Sequence, residues 1–93
     1  MQAVWRGQVL AESDKTLEVH GYRYFPRDAV RMDLLRKAPK DEADLKCPHG
    51  VQFFDVVHGS TTSTQAAWSY EKPQESMKQV DHWIGFWKDV EIK

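Results

Sequence analysis

Short apolar runs with a period near two, separated by turn residues, cover most of this chain. In AVWRGQVLAES, residues 3–13, two such runs flank Arg6-Gly7, a pair suited to a tight hairpin turn. KTLEVHGYRYF, residues 15–25, repeats the arrangement around His20-Gly21. Its alternation puts Tyr22 and Tyr24 on one face and Arg23 on the other. Such alternation predicts antiparallel strands with one face covered and one wet. VQFFDVVHG, residues 51–59, is the clearest strand, and the pattern turns Val51, Phe53 and Val57 inward. Gly59-Ser60 then reads as a hairpin turn. The threonine-rich STTSTQAAWSY, residues 60–70, is β-prone and ends in Trp68 and Tyr70.

The period breaks in three places. In FPRDAVRMDLL, Pro26 can open a helical turn and Asp28 favours the N-terminal end of one, so one or two turns of helix or 3₁₀ are expected over Arg27–Leu35. RKAPKDEADLK, residues 36–46, carries both signs of charge and a proline, and reads as a solvated loop. After Pro73, QESMKQVDHW allows a short helix. WIGFWKDVEIK then closes the chain as a strand, a Lys88-Asp89 turn and a short final strand. No repeat, linker or low-complexity segment interrupts residues 1–93, which are expected to form one domain. The fold class predicted is mainly β, with about seven or eight short strands and one or two minor helical turns.

Composition narrows the function classes. At 93 residues, 41% hydrophobic and 29% charged, the chain has the balance of a globular domain. A net charge of −1 gives no overall field toward nucleic acid or anionic lipid, so neither is expected as a partner. No stretch approaches the roughly 18 apolar residues of a membrane span. The opening MQAVWRGQVLAES lacks a signal-peptide apolar region, which leads to the expectation of a cytoplasmic protein. A single cysteine cannot close an intramolecular disulfide, in keeping with a reducing compartment.

That cysteine, Cys47, opens CPHG just ahead of the strand at residue 51. A zinc site needs about four ligands. Cys47 and His49 form one C-x-H pair, and His20, His58 and His82 show no ligand-pair spacing, so no metal and no cofactor are expected. A nucleophilic thiol needs a base within reach; His49 is two residues away, but Pro48 between them favours a loop. The remaining reading is a small core residue, since free cysteine is among the most buried residue types.

Other side chains invite a ligand. Aromatic walls suit flat or cationic groups. Of Trp5, Trp68, Trp83 and Trp87, two are expected to be core filler, and Trp68, framed by small residues in AAWSY, is the best pocket candidate. Arg27 and Arg31, four apart, would share a face of a helical turn and bind an anion, or join Asp33 in a network anchoring the turn. His82, beside Asp81, could titrate near neutrality or serve as a structural histidine.

Four segments in this order, YFPRDAVRMDLL, CPHGVQFFDVV, AAWSYEKP and DHWIGFW, resemble the bacterial family catalogued as domain of unknown function 427. The resemblance covers essentially the whole chain. It departs at Ala29, where the motif has an acidic residue before valine, and at His49, where lysine commonly precedes the glycine. It implies a β-tent-like fold, two antiparallel sheets leaning together, as in methionine sulfoxide reductase B and the Yippee proteins. It implies no settled activity. A nucleotidyltransferase label attached to the family would call for a Gly-Ser turn followed by paired carboxylates, but after Gly59-Ser60 no acidic residue comes before Glu71.

Together these observations predict a domain that binds a small molecule or partner in the cleft between its sheets, acting as a monomer or weak homodimer. The residues placed at that cleft are Tyr24, Arg27, Cys47, Trp68 and His82. The alternatives are a small-molecule enzyme using Cys47 and an interaction module with an aromatic surface.

Overall fold

The computed structural model describes residues 1–93. Nine strands form two antiparallel sheets in a β-tent-like arrangement. The three-stranded sheet has the order β2 (Gln8–Glu12), β1 (Gln2–Trp5), β9 (Glu91–Ile92). The six-stranded sheet runs β3 (Leu17–Val19), β4 (Tyr22–Phe25), β8 (Ile84–Phe86), β7 (Thr61–Tyr70), β6 (Val51–His58), β5 (Leu35–Lys37). The predicted turns lie where the punctuation put them. Arg6-Gly7 and His20-Gly21 have positive φ at both residues, as tight hairpins between right-twisted strands require, and Gly59 has φ 64° in the β6–β7 turn. The two ends of the chain close the small sheet: the Gln2 and Lys93 N–H groups each donate to the other residue's carbonyl, at 2.9 and 2.8 Å.

The space between the sheets is solid. Ala3, Trp5, Leu10 and Ala11 from the small sheet meet Phe25, Phe54, Val56, Ala67, Ile84 and Phe86 from the large one, all buried. Burying large side chains at roughly 1.5–3 kcal/mol each is the main force holding the sheets together. The cleft expected between the sheets is therefore filled. The strand pattern of β6 is corrected with it: Phe54 and Val56 face the small sheet, while Val51 and Phe53 belong to a second cluster on the opposite face. A strand covered on both sides carries apolar residues at both alternations, as β6 does, so its sequence does not mark which residues face which way.

Helical structure is short and local. Arg27–Ala29, Met32–Leu34 and Glu75–Val80 are 3₁₀ turns at the predicted breaks. The mixed-charge segment is more ordered than its composition predicts. Leu35–Lys37 pairs with β6, and Glu42–Leu45 forms α1, a single turn closed by a capping box. In that box the Asp44 N–H donates to Asp41 and the Asp41 N–H to Asp44. No helix is long and apolar enough to cross a membrane.

Candidate functional site

The outer face of the large sheet, turned away from the small sheet, carries the aromatic residues at period-two positions of three strands. Tyr22 and Tyr24 come from β4, Phe53 from β6, and Trp68 and Tyr70 from β7. Cross-strand register sets Tyr24, Gly85, Trp68 and Phe53 in one row across four strands. Gly85 is what lets that row pack. A Cβ there would lie 2.7 Å from Trp68 Cζ2 and 3.0 Å from Tyr24 Cε2, so the indole lies across the glycine backbone. The Tyr24 ring stands edge-to-face to it, with centroids 5.7 Å apart.

One end of this face is covered by the 3₁₀ turn over Glu75–Val80, which buries Met77 and Val80 in the same cluster. The uncovered part is a hollow of about 150 Å³, lined by Tyr22, Val51, Phe53, Trp68, Tyr70 and Trp87. Tyr22 forms its rim at 40% exposure, whereas Trp68 is only 5% exposed. Trp87 is fixed by a β-bulge. Between the pairs Phe54–Ala67 and Val56–Ser63, one residue of β6 faces three of β7. Gln65 takes φ 54° there, held by its N–H donating to the buried Asp55 carboxylate at 2.9 Å. The Gln65 carbonyl accepts the Trp87 indole N–H at 2.6 Å, and the Trp87 backbone N–H donates to Ala66 at 3.1 Å.

Two polar features lie beside the hollow. The Trp68 indole N–H is buried without a hydrogen-bond partner, in a structure where nearly all such groups are paired. Burial first, and then Tyr70, raise the Tyr24 phenol well above the usual tyrosine range, so it is neutral at ordinary pH. The second feature is a charged cluster around Glu71. Glu71 Oε2 accepts from Ser69 Oγ at 2.8 Å and Arg27 Nη1 at 3.4 Å, and stands 3.7 Å from His82 Nε2. His82 Nδ1 meets Asp81 at 2.5 Å, and Arg27 also donates to the His82 carbonyl at 3.2 Å. This cluster ties the Pro26 turn to the end of β7 and the start of β8.

The five residues expected at one cleft separate accordingly. Trp68 lines the hollow, and Tyr24 packs beneath it as part of the buried cluster. Arg27 and His82 meet, but in the Glu71 cluster. The anchoring network expected for the turn exists with Glu71 as its acid, while Arg31 pairs locally with Asp33 at 2.8 Å. Cys47 is half-buried against the aromatic cluster after α1, outside the hollow's lining. His49 does not serve it: its Nδ1 accepts the Gln74 N–H at 2.9 Å and its ring lies against Tyr70. No group of three or more His, Cys, Asp and Glu side chains comes together to hold a metal ion. Of the other lining residues, Trp87 was among the four tryptophans weighed as pocket walls but not among the five placed at the cleft, and Tyr22, Val51, Phe53 and Tyr70 were not singled out for the site. The signal that could have found most of them was the aromatic or apolar pair at i, i+2 repeated in YRY, VQF and WSY.

No curated protein matches the sequence. The family model for the domain of unknown function 427 (DUF427), which also carries a nucleotidyltransferase-type label, matches residues 1–93. The chain, matched from end to end and built as the two-sheet fold its motifs imply, belongs to the DUF427 family.

Proposed function

We propose that this domain binds a small ligand in the aromatic hollow on the outer face of its large sheet, as a single chain. The observation that carries this reading is the hollow itself. Five aromatic rings and a valine surround about 150 Å³, held in place by Gly85 below and the Gln65 bulge at the side. A cavity of that size accommodates a group about as large as benzene. Apolar concavities with an ordered wall are where proteins place small ligands. Trp68 is locked by packing across Gly85 and Trp87 by its hydrogen bond to Gln65, so these two walls need little ordering when a ligand enters.

A thiol-dependent reaction has less support, because His49, the imidazole nearest Cys47 in sequence, is committed to Gln74 and Tyr70. Nucleotidyl transfer has less still: Gly59-Ser60 forms an exposed hairpin turn, far along β7 from the nearest following carboxylate, Glu71. The test is a screen of small apolar, aromatic and cationic fragments by thermal shift, run on the native chain and on Trp87→Ala. Fragments that stabilise the native chain by several degrees and lose the effect in the variant fit the proposal. A screen in which no fragment distinguishes the two proteins refutes it.

A further inference from the structure

Tyr22, Trp68 and Trp87 stand nearly perpendicular to one another around the hollow. Their interplanar angles are 87°, 83° and 76°, with centroids 5.2 to 6.3 Å apart. Such a corner has no pair of parallel walls. Sandwiching a flat ring needs about 7 Å between parallel planes, two contact distances of about 3.5 Å. The near-parallel pair Phe53 and Trp87, at 24°, has its centroids only 6.3 Å apart. A compact, roughly spherical group fits the corner better than a plate does.

The lining also selects charge. It contains no carboxylate, amide or cationic side chain. An anion would lose its water there and find no cationic side chain in the lining. A primary ammonium would give up hydrogen bonds to water and meet no carboxylate in exchange. A quaternary ammonium has no N–H to satisfy and is attracted by aromatic ring faces within about 6 Å. The Lys88 ammonium, held by donating to the Thr64 carbonyl, lies 5.3 Å from the Trp87 centroid, so that ring is already presented to a cation.

We propose that the hollow takes the quaternary ammonium group of a small soluble molecule. This rests on the hollow being the binding site and adds the class of ligand. Isothermal titration of the native chain with choline, tetramethylammonium and the neutral carbon isostere 3,3-dimethylbutan-1-ol tests it. The two cations are expected to bind at least about tenfold more tightly than the alcohol. Trp87→Leu should remove most of that advantage while leaving the alcohol within about threefold. Tyr22→Leu, at the exposed rim where truncation does not endanger the core, should weaken the cations in the same sense. Equal binding of alcohol and cation would overturn the charge preference and leave the ligand-binding reading standing. Failure of these probes and of every fragment in the screen would remove both. Association with phosphatidylcholine vesicles without binding of free choline would overturn the soluble ligand in favour of a lipid surface.

Discussion

At the scale of single residues, Gly85 carries more of the site than any side chain outside the lining. Replacing glycine by alanine within a strand ordinarily gains stability, by roughly 0.5–1 kcal/mol. At Gly85 the added methyl would meet the Trp68 and Tyr24 rings at 2.7 and 3.0 Å, and both rings are buried. Gly85→Ala should therefore lower stability in denaturant unfolding, by about 1–3 kcal/mol, the cost of overpacking a tight core. It should also abolish binding in the hollow, because the indole wall must tilt. An unchanged or increased stability would show that Trp68 is not seated as described. Asp89 makes a second residue-level prediction. The Ser63 hydroxyl donates to it at 2.6 Å and the Trp5 indole N–H at 2.9 Å, and these bonds hold its carboxyl below the usual range, Ser63 most. A group whose folded value is depressed stabilises the fold above its unfolded value, about 4, and loses that contribution as pH falls through the folded one. Unfolding free energy should thus fall on acidification below about pH 4, and Asp89→Asn should flatten that limb. An unaltered acid profile in the variant would mean these bonds do not favour the charged form.

At the scale of elements, the β6–β7 hairpin decides where the site can be. Its bulge puts Gln65 in the left-handed region and offers a carbonyl to Trp87, and Asp55 is the anchor that accepts the freed N–H. Asp55→Ala leaves that donor unpaired, and the cost expected is about 1–3 kcal/mol. Asp55→Asn, which keeps an acceptor, should recover most of it. In the alanine variant Trp87 loses its fixed carbonyl, so ligand affinity should drop further than stability alone explains. If alanine and asparagine behave alike, the bulge is held by something other than this bond. The same hairpin marks the limit of what sequence pattern reveals. The turns Arg6-Gly7, His20-Gly21 and Gly59-Ser60 were legible because glycine and turn chemistry punctuate locally. The faces of β6 were not, since in VQFFDVV both alternations carry large apolar residues and one polar residue each, and both faces are covered. The capping box of α1 and the strand Leu35–Lys37 were hidden for the opposite reason: their residues are polar, and their order comes from pairing with β6 and from backbone caps.

At the scale of the whole molecule, the six-stranded sheet divides the labour. One face joins the small sheet to make the core, and the other displays an aromatic surface that a single 3₁₀ turn covers at one end only. Trp68 was legible as a pocket residue because AAWSY sets an indole among small neighbours. The position of the pocket was not, because a two-sheet sequence pattern directs attention to the space between sheets. Arg27 and His82 came together as well, but through Glu71, whose role depends on the end of β7 meeting the Pro26 turn in space. The chain's four tryptophans report on this arrangement separately. Trp5 lies in the core with its N–H on Asp89, Trp87 donates to Gln65, and the Trp68 N–H has no partner. The most direct test of the central claim follows the four indole N–H signals by ¹H–¹⁵N NMR while choline, or the best fragment from the screen, is titrated. Binding in the hollow should move the Trp68 and Trp87 signals together to saturation while the Trp5 signal stays fixed. Movement of Trp5 with the others still, or saturable binding that moves neither Trp68 nor Trp87, would contradict it.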